Sequence, residues 1–83
     1  MKHAGAAALD QLETLLNALR AVPSLRETSR GVFYRRGRAF LHFHEDPRGL
    51  FADLRDGPDF ERFDVTDPAG RDALLAAAVL RSA

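Results

Sequence analysis

Cysteine and tryptophan are absent from this 83-residue chain, and methionine and tyrosine occur once each. Without cysteine there is no disulfide framework, no thiolate metal site and no thiol nucleophile, which fits a reducing compartment and gives the expectation of a cytoplasmic location. Neither sign of charge is in excess. Lys and Arg number 12 against 12 Asp and Glu, a formal net charge of zero, so the whole-molecule field draws the chain neither to nucleic acid nor to an anionic membrane, and electrostatic recognition must be local. Long apolar runs are lacking too. The stretch after Met1-Lys2-His3 is broken by Asp10, Gln11 and Glu13, too short and too interrupted for a signal peptide or a membrane span, so neither export nor a membrane partner is expected. The six glycines are scattered one per turn or terminus and form no phosphate-cradling loop. Lys2 is the one lysine. The arginine and alanine richness reads as the coding bias of a GC-rich bacterial genome.

What is present specifies one small domain spanning 1–83, since a chain of this length buries only roughly 60% of its unfolded surface in a single core. From about Ala6 to Val22 the residues Leu9, Leu12, Leu16 and Leu19 recur at steps of three and four, the mark of an amphipathic helix that Pro23 stops. Pro23 to Arg30 reads as a polar connection. Val32 to Arg36 and Arg38 to His44 read as the arms of a tight hairpin around Gly37. Leu50 to Arg55 and Phe60 to Val65 follow as strands, after turns at Glu45 to Gly49 and Asp56 to Asp59. Asp67, or Thr66, is placed to cap a last helix with Pro68 at its first position. The expected fold class is therefore α+β: an N-terminal helix, a four-stranded antiparallel meander and a C-terminal helix, with both helices packed on one face of the sheet.

Side chains alternate along strands, so each strand divides into two sets. Val32, Tyr34, Ala39, Leu41, Phe43, Leu50, Ala52, Leu54, Phe63 and Val65 make the expected core face. The opposite set holds Phe33, Arg35, Arg38, Phe40, His42, His44, Phe51, Asp53, Arg55, Phe60, Arg62 and Asp64. Phenylalanine on a face destined for water marks association, so Phe33, Phe40, Phe51 and Phe60 are candidate interface residues and a homodimer is the expected assembly.

Two constellations carry possible chemistry. His42 and His44 lie on one side of a strand about 7 Å apart by strand rise, and two imidazoles so placed can converge on a metal ion. Asp53 is the same-face carboxylate expected opposite them, with Glu45 or Asp46 available from the turn. A His and Asp pair for acid-base catalysis would also need a cleft, which no sequence pattern indicates. Tyr34, Arg35, Arg36 and Arg38 form a basic hairpin tip of the kind that grips phosphates, the basis for a nucleic-acid reading.

Ala21-Val22-Pro23-Ser24-Leu25-Arg26-Glu27-Thr28, followed by Phe33-Tyr34-Arg35-Arg36-Gly37-Arg38-Ala39-Phe40, resembles the helix-to-hairpin segment of the small bacterial MmcQ/YjbR-like proteins, over less than half of the chain. The resemblance implies an α+β sheet with helices on one side and adds to the DNA-binding expectation. It transfers no catalytic residue. The reading is thus a small non-enzymatic binding or structural module that self-associates through its aromatic and histidine face and needs no cofactor. The alternative is a nucleic-acid-binding domain using the arginine-rich hairpin.

Overall fold

The computed structural model describes all 83 residues. Two short helices open the main body, α1 (Ala6–Gln11) and α2 (Glu13–Arg20), preceded by a two-residue strand β1 (Lys2–His3). Strands β2 (Arg26–Ser29), β3 (Val32–Arg35), β4 (Arg38–Asp46), β5 (Gly49–Asp56) and β6 (Asp59–Asp64) follow, and α3 (Pro68–Ser82) closes the chain. The single N-terminal helix expected from the leucine spacing is divided at Leu12, whose ψ of 6° departs from helical geometry and whose N–H donates to Leu9 O rather than one residue further back. Leu12 is nevertheless fully buried. The leucine stripe thus runs across the break.

The sheet is antiparallel and has six strands, not four. Its order is β2-β3-β4-β5-β6, with β1 pairing the far part of β4. The two extra strands carry no alternating apolar pattern. Arg26-Glu27-Thr28-Ser29 is a polar, mostly exposed edge, and β1 is only Lys2 and His3. An edge needs no apolar face and is protected by charge, so polar sequence is compatible with strand geometry there.

Two hairpin connections follow turn chemistry closely. Arg35 pairs with Arg38, leaving Arg36 (φ 52°) and Gly37 (φ 76°) as a two-residue loop with both central residues at positive φ, the type I′ arrangement whose twist matches the strands it joins. Asp56 pairs with Asp59 around Gly57 (φ 63°) and Pro58, as a type II′ turn requires. At the start of α3, Asp67 accepts a hydrogen bond from Gly70 N (3.0 Å) and Pro68 occupies the first turn, as expected from the sequence.

One core cluster joins the leucines of α1 and α2, Leu74 and Ala78 of α3, and the strand residues Phe33, Phe40, Leu41, Phe43, Leu50, Ala52, Leu54 and Val65. Here the expected division of the hairpin fails. Phe33 pairs with Leu41 and Tyr34 with Ala39, so Phe40 is an extra residue on β4 without a partner on β3. This bulge reverses the alternation of β3 relative to β4. Phe33 is only 1% exposed and Phe40 only 4%, so both belong to the core and neither is available as an interface residue, while Val32 and Tyr34 are only half-buried.

Candidate metal centre

Leu41 and Phe43 of β4 point into the core, so His42 and His44, which alternate with them, project from the opposite side of the sheet. The cross-strand register fixes their neighbours. His3 of β1 pairs with His44, His42 pairs with Asp53 of β5, and Asp53 pairs with Arg62 of β6. A row of polar side chains therefore crosses four strands on one face, although its members, from His3 to Arg62, are spread over about 60 residues of sequence.

The row is tightly engaged. His42 Nδ1 lies 2.9 Å from His44 Nε2, and the two rings meet edge to face with centroids 4.9 Å apart. The His3 ring lies 4.9 Å from His44 at an interplanar angle of 31° and 6.0 Å from His42. One nitrogen from each of the three imidazoles lies within 4.8 Å of the other two. His44 Nε2 is also 3.2 Å from Asp53 Oδ2, and Arg62 donates to both Asp53 oxygens at 2.8 Å.

With a ring proton of His44 placed on Nε2, that N–H faces both Asp53 Oδ2 and His42 Nδ1, and Nδ1 of His44 is left without a hydrogen. That nitrogen is buried and has no hydrogen-bond partner. For Nε2 to act as a metal donor beside His42 Nδ1 it must give up that proton, which the Asp53 carboxylate is placed to hold when no ion is bound. Burial, and then the neighbouring His44, hold His42 below the usual imidazole range against the opposing pull of Asp53, which favours the neutral form that ligates metals. The Arg62 guanidinium keeps Asp53 below the usual carboxylate range and so anionic as an acceptor.

Of the expected metal set, the structure brings His42, His44 and Asp53 together. His3 was missed, and Glu45 and Asp46 are used elsewhere: Glu45 accepts from Gly5 N (2.6 Å) and Asp46 from Arg48 N (2.7 Å). The one available signal for His3 was that the chain holds just three histidines. Phe60, 38% exposed, flanks the row with its ring 5.2 Å from His42 and beneath the Arg55 guanidinium at 4.7 Å, and Phe51, half-buried, pairs with His44.

The expected nucleic-acid residues are divided between two depressions. Arg35, Arg36 and Arg38 border one and Tyr34 the other, with Arg36 shared. None of the surface depressions is lined by a histidine, and the side chains of His44 and Asp53 are largely covered by their neighbours, each 12% exposed. No helix is long and apolar enough to cross a membrane. No protein-family model matches the chain, and no curated protein or solved structure is similar to it at a significant level, so the role of each residue rests on this geometry.

Proposed function

We propose that this protein is a small, non-catalytic binding module whose ligand is a divalent transition-metal ion held by His3, His42 and His44. The observation that carries the reading is the convergence of three imidazole nitrogens within 4.8 Å on one sheet face. Three neutral nitrogen donors suit borderline ions such as Zn²⁺, Co²⁺ or Ni²⁺ and are poor ligands for Mg²⁺ or Ca²⁺, which take oxygen. Asp53, fixed by Arg62, supports the site from behind His44. We read α1, α2 and α3 as covering the Leu41 and Phe43 face, which leaves the opposite, histidine-bearing face without a helix over it. Self-association through that face is the lesser reading, because two of the four phenylalanines on which it rested are in the core.

Calorimetric titration of the untagged chain with Zn²⁺ tests the proposal, and visible spectroscopy with Co²⁺ reports on coordination geometry. One ion per chain is expected, with binding lost in His42→Ala and His44→Ala and weakened in His3→Ala. Asp53→Asn is expected to lower affinity by about 10–100-fold, the usual effect of losing an outer-shell acceptor. Absence of uptake, or uptake indifferent to all three histidine substitutions in variants with unchanged circular dichroism, rules the reading out.

A further inference from the structure

Five arginines that are scattered in the sequence border one depression of about 460 Å³ beside the β3–β4 hairpin: Arg35, Arg36, Arg38, Arg55 and Arg81. Three are anchored by main-chain oxygens. Arg35 donates to Ser82 O (3.2 Å) and Ala83 O (3.0 Å), Arg55 to Ala39 O (2.6 Å) and Gly57 O (3.2 Å), and Arg81 to Arg55 O (3.3 Å). Such bonds orient a guanidinium, and those of Arg55 run to main-chain carbonyls alone and leave its charge unpaired. The carboxylates at hand are few: Asp56 on the wall, and Glu61, which pairs with Arg81.

Arg36 and Arg38 at the tip have neither a hydrogen bond nor an ion pair through their side chains, although the chain has as many acidic as basic residues to offer. Arg36 also stands at positive φ in a turn position that Asn, Asp or Gly normally fills. The sequence thus concentrates positive charge here, against turn preference and against self-repulsion, which is the behaviour of a site and not of a solvated edge.

We propose that this depression binds phosphate groups of an anionic ligand, independently of the histidine row. Planar guanidinium forks match phosphate oxygens two at a time, and several converging on one concavity favour a ligand with adjacent negative charges. Stacking on bases is not part of the recognition. The one aromatic residue on the wall, Phe40, is 4% exposed, and Tyr34 faces the neighbouring depression. Binding is by charge and phosphate geometry, whether the phosphates belong to a small metabolite or to a nucleic-acid backbone.

Titration with inorganic pyrophosphate, and in a second arm with a short single-stranded oligothymidylate, tests this on wild type, Arg38→Gln and Arg36→Asn. Arg36→Asn installs the residue the turn prefers, so a loss of binding there is not a loss of folding. Pyrophosphate is expected to bind with an affinity that falls as salt rises, and each substitution to weaken it about tenfold. If the oligonucleotide binds more tightly, or alone, and both substitutions weaken it, the phosphate site stands and its source is a nucleic-acid backbone. Binding of neither anion, or binding that both variants retain within about twofold, overturns the proposal.

Discussion

Glu27 shows how much a single polar residue contributes at an edge that has no apolar face. Its carboxylate accepts from Arg20 Nε (2.6 Å) and Nη2 (3.0 Å) and from Gly31 N (3.0 Å), tying β2 to α2 and to the turn before β3. The Arg20 guanidinium holds its pKa below the ordinary glutamate value, with the Gly31 N–H acting in the same direction. A depressed folded-state pKa stabilises the fold above the unfolded value of about 4.3, and that contribution disappears as pH falls through the folded value. Glu27→Gln is therefore expected to lose about 1 kcal/mol at pH 7, with the difference from wild type vanishing at acid pH, as urea unfolding across a pH series would show. A difference that grows below pH 4 would refute the assignment.

At the scale of elements, β4, β5, β6 and α3 were legible because each carries a pattern that one physical constraint enforces: alternation over a half-buried sheet, glycine at positive φ, a capped helix start. The hairpin of β3 and β4 was legible in its turn but not in its faces. Phe33, Tyr34, Ala39 and Phe40 alternate well in either register, and only tertiary packing selects the bulge that buries both phenylalanines. The strand β1 and the placement of His3 beside His44 were illegible for a related reason, since a two-residue pairing across the fold leaves no periodicity to read. The same hairpin carries a prediction. Because Arg36 occupies a left-handed conformation at φ 52°, Arg36→Asn is expected to stabilise the protein by about 1 kcal/mol in thermal or urea unfolding. An unchanged or lowered stability would remove strain from the account of the tip.

For the whole molecule, a radius of gyration of 11.5 Å matches the roughly 12 Å of a compact chain of this length. The large apolar side chains left exposed are Met1, Phe60, Val79 and Leu80, which lie on a strand edge, the sheet and α3. Scattered residues of this kind are ordinary on a monomer. Light scattering after gel filtration is accordingly expected to give the mass of one chain, unchanged in Phe60→Asp. Twice that mass in wild type and one chain's mass in a folded Phe60→Asp would restore the sheet face as a pairing surface.

The attachment of β1 has a consequence for ion binding. Lys2 and His3 are held by pairing with β4, by Ala4 N donating to Phe43 O (3.0 Å), and by the Gly5 N–H to Glu45 bond that spans 40 residues of chain. This is a small anchorage, a two-residue pairing with two further hydrogen bonds, and so few bonds open at little cost in free energy. An ion that engages His3 only when β1 is docked must, by thermodynamic reciprocity, tighten the docking of β1 by the same factor by which docking tightens the ion. On the metal reading proposed above, ion occupancy and the docking of the first strand would be one equilibrium, linked through His3.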